Sequence, residues 1–436
     1  MKILLIQNMD YLYPWGGAHK ANRILMEGLA ERGHECFVIT PSADVQGFKE
    51  YFQKKREANE FEVLEENKDL ICIQKNKVVA YTINSFFQIY SFIRAKIKEL
   101  QPDITIVSEL THNQLMLEAV LETGVRTVLL SHSQTLLPFG PESYQVKPAD
   151  IPMLKKLDGI VSVSKYLQDY TLEHGGLDSK VIYFPSYGKG PFPNLAGFDN
   201  KYITVINPSA IKGFSIFIGL AKAMPELSFA AVPTWATSAE EIDEMKALPN
   251  ITILKPSEDI NDIYKQTKVF LMPSLWGESF GQVVTEAMLR GIPVIASRIG
   301  GIPEAKMGLD YLLPVKPIEK YNTSYLLSTV IPRPIVPKQD IEPWAEALRK
   351  LTTDRSHYEQ LSQISYEEAA AFHAKLGIEP FEQYFQQLID TVKKKIVHAS
   401  EFVSETDAVK HKMWDRIRSL PPEKRELLLA SLKEGR

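Results

Sequence analysis

The sequence predicts an α/β protein made of two doubly wound parallel sheets. Two observations predict it. Short apolar runs alternate with amphipathic segments through the first half of the chain, and after a proline- and glycine-rich passage the same alternation starts again. Such alternation produces parallel strands with helices on both faces, two Rossmann-like units in succession.

In the first half, strands are expected at Ile3–Gln7, Cys36–Thr40, Ile104–Val107, Thr127–Ser131, Gly159–Val163 and Val181–Phe184. Each is a short apolar run of the kind buried on both faces of a sheet. Apolar residues at helical spacing mark Ala18–Arg32, Ser85–Leu100 and Lys165–His174 between them. Phe184–Phe198 carries three prolines and three glycines and reads as a linker. Beyond it, strands are expected at Ile203–Ile206, Leu227–Ala231, Ile251–Leu254, Val269–Met272 and Pro293–Ala296. Helices are expected around Ser215–Met224, Ser238–Lys246 and Phe280–Arg290. Lys316–Pro343, with five prolines and no clear period, reads as a structured loop or lid, and the chain turns helical from Trp344 to about Ile396. In the tail, Pro421–Pro422 favours a helix start and Leu427–Leu429 with Leu432 form an apolar stripe.

The expected organisation is a first domain over residues 1–190 and a second over 200–375. A helix over 376–400 is expected to return to the first domain, followed by a helical tail over 401–436. At 436 residues the chain is long enough for two full cores. A net charge of -4 argues against a nucleic-acid partner. Basic clusters at Lys49–Glu57 and Arg94–Glu99 have acidic neighbours and read as solvated helix faces rather than a peripheral membrane surface. The chain opens on the strand MKILLIQN instead of a signal peptide, and no apolar run reaches the ~20 residues of a membrane helix. Cys36 and Cys72 lie in apolar runs and read as reduced core residues, which points to the cytoplasm.

The chemistry concentrates in Pro273–Glu304, PSLWGESFGQVVTEAMLRGIPVIASRIGGIPE, where Glu278 and Glu286 are separated by seven residues. A helix starting near Ser279 or Phe280 would aim the N–H groups of Gly281, Gln282 and Val283 out of its first turn, a favourable place for a phosphate or diphosphate. Glu286 lies one turn deeper, on the face of Gln282. Carboxylates beside a phosphate are suited to neutral hydroxyls, as on a sugar or ribose. The pair Gly16–Gly17 also precedes a helix, with Tyr11, Tyr13 and Trp15 offering an apolar or stacking wall. No D-x-D motif or His/Cys cluster with ligand spacing provides for a metal.

The PS…E-x7-E block, the following G-x-P-V and the GGIPE resemble the retaining glycosyltransferases of the GT-B fold, family four. The residues carrying this are Pro273, Ser274, Glu278, Phe280, Gly281, Glu286, Ala287, Gly291, Pro293, Val294, Gly300, Gly301 and Glu304. The topology extends the resemblance over roughly residues 1–395. It implies a nucleotide-diphosphate sugar as donor, no cofactor, and transfer to an acceptor hydroxyl on a natural product, glycan or lipid. It assigns Glu286 to the ribose, Glu278 to the donor sugar, and the backbone at Phe280, Gly281, Gln282 and Val283 to the sugar and diphosphate. It assigns Lys212 to the diphosphate and places the glycine loop, Gly16 and Gly17, against the diphosphate or acceptor. It also brings His132, with His19 as a weaker candidate, to the rim of the cleft and the donor sugar. Where many relatives carry an arginine this chain has Asn207, and Arg298 and Lys255 are the candidates to replace that charge. The mechanism implied is a metal-free, front-side displacement. A noncatalytic sugar-nucleotide or carbohydrate binder and a GT-B sugar-nucleotide epimerase are the alternatives. The tail segment LPPEKRELLLASL resembles helices that link nonribosomal peptide modules, which implies either docking of a partner protein or a plain packing helix.

Overall fold

The computed structural model describes residues 1–13, 16–42, 48–84, 88–108, 114–322 and 333–391. Trp15 and the tail 401–436, both given expectations above, lie outside the described residues.

The first sheet has nine strands: β1 (Lys2–Gln7), β2 (Glu35–Pro41), β3 (Glu62–Glu66), β4 (Leu70–Lys75), β5 (Val78–Ile83), β6 (Ile104–Ser108), β7 (Thr127–Ser131), β8 (Gly159–Ser162) and β9 (Lys180–Val181). They lie in the order β3-β4-β5-β2-β1-β6-β7-β8-β9. Pairing is parallel from β5 to β9, while β3, β4 and β5 are joined antiparallel. This antiparallel extension is absent from the sequence expectations. EVLEE is mostly exposed and carries no apolar face, and the hairpin turn at Asn76–Lys77 uses two left-handed residues without a glycine to announce it.

The second sheet is wholly parallel: β10 (Tyr202–Ile206), β11 (Phe229–Val232), β12 (Ile251–Ile253), β13 (Thr267–Met272), β14 (Val294–Ser297) and β15 (Leu312–Leu313), in the order β12-β11-β10-β13-β14-β15. The order reverses between β10 and β13, which opens a crevice at their carboxyl ends. Within the proline-rich stretch a two-stranded ribbon joins β16 (Tyr321–Asn322) to β17 (Arg333–Pro334).

Two apolar cores hold these layers. One joins the first sheet to Phe280, Val284 and Ile302 on one flank of the second, and to Phe381 and Phe385. The other fills the opposite flank of the second sheet around Phe217, Phe229 and Trp344. Helix Glu379–Thr391 packs on the first sheet, with Phe381 against Phe184 at 4.8 Å and Glu379 and Glu382 paired to Arg32 at 2.7 and 2.6 Å.

Candidate active site

Lys212 follows β10 in a short turn, Ala210–Lys212, and Glu278 lies in the loop after β13. The two loops are pinned together by the Leu275 N–H donating to the Ile211 carbonyl at 2.9 Å. Three donors converge on Glu278 Oε1: Lys212 Nζ at 2.5 Å, Trp276 Nε1 at 2.7 Å, and the Ser274 hydroxyl. Glu278 Oε2 takes part in none of these bonds. The Lys212 ammonium also lies 4.7 Å from the centre of the Trp276 ring. Both side chains are largely shielded from water, so the pair is fixed rather than loosely solvated.

The following helix spans Gln282–Met288, with Gly281 (φ 98°) as its N-cap. It starts two residues later than the sequence suggests. The loop before it is held by other partners: the Ser279 carbonyl accepts from Ser164 Oγ, and the Gly301 N–H donates to the Glu278 carbonyl at 2.6 Å. Gly300 and Gly301 press directly on this loop. A Cβ at Gly300 would stand 2.5 Å from the Glu278 carbonyl oxygen, and one at Gly301 2.5 Å from that of Ser279. The paired glycines of GGIPE therefore set the position of Glu278 from behind.

The first domain supplies the facing wall. A Cβ at Gly17 would lie 2.9 Å from Gln282 Oε1, so the glycine loop stands opposite the start of helix Gln282–Met288. One turn into helix Gly17–Glu31, Lys20 Nζ reaches Glu286 Oε1 at 3.0 Å. Gln134 bridges the domains more deeply. Its Nε2 donates to the Gly277 carbonyl and to Glu142 Oε2 (2.6 Å), and its Oε1 accepts from Ser279 Oγ at 2.8 Å. Tyr166 donates to the other oxygen of Glu142 at 2.6 Å. Glu304 crosses the same interface: it accepts from the Lys165 N–H at 2.9 and 3.0 Å, from the Tyr166 N–H at 3.3 Å, and from the Tyr183 hydroxyl. Those amides begin helix Lys165–Gly175, whose next N–H, from Leu167, is taken by Ser164 Oγ at 3.0 Å. One carboxylate from the second domain thus completes a helix cap in the first.

Several expected residues sit differently. His132 follows β7, but it is buried instead of standing at a rim. Its Nε2 lies 2.8 Å from Asn22 Oδ1, and the Asn22 amide nitrogen donates to Ser108 Oγ at 2.8 Å and to Gln7 Oε1 at 3.0 Å. That network gives Asn22 an acceptor oxygen facing the ring, so Nε2 carries the proton. Burial, then the nearby His19, pushes the His132 pKa down to about 3. Asn207 adopts a left-handed turn (φ 59°), and its Oδ1 accepts from the Ala236 N–H at 3.2 Å, so it organises the loop after β11. Tyr11 is a core residue, and Tyr13 packs edge-on against Tyr51 at 5.3 Å. The Phe280 ring is wedged between Tyr183 and Phe372, so its side chain is part of the packing. Arg298 donates to the Leu312 carbonyl at 3.2 Å, and Lys255 is exposed. Neither joins the Lys212–Glu278 pair. Among the described residues no group of three or more His, Cys, Asp or Glu could hold a metal ion, and no helix is long and apolar enough to cross a membrane.

Two family models match the chain, one on each domain. Residues 15–185 match "Glycosyltransferase Family 4" and residues 212–354 match "Glycosyl transferases group 1". The chain is a GT-B glycosyltransferase. Solved structures agree in fold: HepE of Anabaena, determined with UDP and glucose, superposes with a TM-score of 0.61 at 16% identity, covering 90% of this chain and 100% of that one. An uncharacterized 42.6 kDa protein in the cps region of Klebsiella pneumoniae is 24% identical over 333 residues, 70% of this chain and 87% of that protein. The D-inositol 3-phosphate glycosyltransferase of Corynebacterium urealyticum is 31% identical over 122 residues, 27% of this chain and only 23% of that relative.

Sequence reasoning about this glycosyltransferase missed Lys20, Gln134, Glu142 and Trp276. Trp276 was within reach, since it stands two residues before Glu278. Lys20, Gln134 and Glu142 had no such signal, because their partners lie in the other domain or in a long loop.

Proposed function

We propose that this glycosyltransferase moves a hexosyl or pentosyl group from a nucleoside-diphosphate sugar to an acceptor hydroxyl on a glycan, lipid or natural product, with retention of configuration and without a metal. The observation that carries the reading is the Lys212–Glu278–Trp276 cluster at the crevice between β10 and β13, opposite the glycine loop. Lys212 meets charge that grows on the diphosphate as the bond from its oxygen to the anomeric carbon breaks. Glu278 holds hydroxyls of the donor sugar, and Glu286 those of the ribose. The backbone from Phe280 to Val283, with Gly16 and Gly17 facing it, brackets the diphosphate. The acceptor oxygen bonds to the anomeric carbon on the face the diphosphate leaves, and its proton passes to a phosphate oxygen. His132, neutral and held by Asn22, presents only an acceptor nitrogen, Nδ1, and acts in positioning rather than proton donation. HepE, solved with UDP and glucose, supports a nucleotide-sugar donor. The two buried free cysteines suit a reducing compartment such as the cytoplasm.

The test is release of nucleoside diphosphate from a panel of sugar nucleotides, followed by the anomeric signal of the product in NMR. Lys212→Met and Glu278→Gln are expected to lower turnover at least ~100-fold while circular dichroism stays unchanged. Undiminished turnover in both variants would remove the assigned site. An inverted product anomer, or loss of activity in chelator, would overturn retention or metal independence respectively.

A further inference from the structure

The assigned donor site is short of positive charge. Lys212 is already opposed by Glu278 at 2.5 Å, and Glu286 adds a second carboxylate one turn along helix Gln282–Met288. A diphosphate brings at least two more negative charges into this space. Three arginines among the described residues, Arg290, Arg23 and Arg298, are committed to other partners. The Arg290 guanidinium bonds Asn261 Oδ1 at 2.9 Å and the Glu286 carbonyl at 3.2 Å, and it lies 4.7 Å from the Phe192 ring centre. Arg23 donates to the Leu12 carbonyl at 3.1 Å. His132 is neutral, and Arg298 is bonded to the Leu312 carbonyl.

Lys20 is placed differently. It stands on the first-domain wall three residues beyond Gly17, the residue that faces Gln282. Its ammonium is 3.0 Å from Glu286 and its side chain is 44% exposed, so it is free to swing on a flexible four-carbon stem. We propose that Lys20 is the second cation of the donor site, transferred from Glu286 to the donor's diphosphate when the ribose hydroxyls occupy the Glu286 carboxylate. This rests on the donor reading above. Lys20 and Lys212 then approach the diphosphate from opposite domains, so that the ligand itself ties the two walls together. The same movement explains why a lysine that pairs with a ribose-binding carboxylate does not block the site: the ion pair is exchanged for another, not lost.

Calorimetric titration with UDP, GDP, ADP and dTDP, each beside its free nucleoside, tests the assignment on wild type, Lys20→Met, Lys20→Arg and Lys212→Met. Lys20→Met is expected to bind the preferred diphosphate about ten- to a hundredfold more weakly, the worth of one charge-assisted hydrogen bond. Its affinity for the nucleoside should be unchanged or higher, and Lys20→Arg should recover most of the loss. The salt dependence of diphosphate binding should also flatten in Lys20→Met. If Lys212→Met loses diphosphate affinity and Lys20→Met does not, the assignment of Lys20 is overturned and the donor reading stands. Equal loss of nucleoside and diphosphate affinity in Lys20→Met also overturns it, because Lys20 would then act only by orienting Glu286. Failure of the wild type to bind any of the diphosphates would sink the donor reading, and this proposal with it.

Discussion

Replacing Glu304 by alanine should loosen the two domains while leaving each one folded. The carboxylate receives the first two N–H groups of helix Lys165–Gly175 and the Tyr183 hydroxyl, all from the opposite domain. Hydrogen bonds to a charged group contribute about 1.5–3 kcal/mol when buried. The helix start is exposed, so water replaces much of that, and about 0.5–1 kcal/mol for each main-chain bond is the realistic share. Loss of the anion at the positive end of the helix adds about 0.3–1 kcal/mol. With the Tyr183 bond at the same about 0.5–1 kcal/mol, the sum is about 2–4 kcal/mol, equivalent to roughly 30- to 700-fold in the closure equilibrium. Small-angle scattering should show a larger radius of gyration for Glu304→Ala, and titration a weaker affinity for nucleoside diphosphate. Glu304→Gln, which keeps one acceptor oxygen but no charge, should fall between. Unchanged scattering and unchanged affinity in Glu304→Ala would show that the carboxylate does not hold the domains together.

Three further outcomes follow from the geometry. His132 has a folded pKa of about 3 against an ordinary value of 6.5, so the unfolded chain takes up its proton first. Its contribution is intact above pH 6.5 and falls by about 1.4 kcal/mol for each pH unit below that, towards pH 3. Urea titrations between pH 4 and 8 should show a shallower acid slope in His132→Gln than in wild type. Gly300→Ala combines a left-handed residue (φ 55°) with a Cβ 2.5 Å from the Glu278 carbonyl oxygen. It should cost about 1–3 kcal/mol by calorimetry, with a proportionally larger loss of turnover as Glu278 is displaced. Asn207→Arg should lower stability by about 1–2 kcal/mol, since it removes the bond to the Ala236 N–H from a left-handed turn. Nucleoside-diphosphate affinity should not rise, because the Asn207 side chain, at the end of β10, is directed at the loop after β11.

The sequence exposed those features whose cause is local. Thr127–Ser131 is a strand in both the reading and the structure because its apolar run is buried on both faces. Lys165–His174 differs from the observed helix by one residue at its end, where Gly176 supplies the left-handed cap. The Glu278 loop and the Lys212 turn were visible because each follows a strong parallel strand. Less local features escaped. The outermost strand β3 depends on pairing with β4 rather than on an apolar pattern, and His132 gave no sign of being buried until β7, helix Gly17–Glu31 and Phe184 closed around it.

The sequence by itself therefore determined the two parallel α/β units and the residue types at the carboxyl ends of their strands. Burial period and turn chemistry act over a few residues, and both are written in the chain. Only the tertiary structure decided which charges meet. Lys212 with Glu278, Lys20 with Glu286, and Glu304 with the helix at Lys165 are contacts across 66, 266 and 139 positions of sequence. Electrostatic attraction selects such pairs only after the backbone has brought both partners within a few ångströms, and no spacing within the chain records that distance.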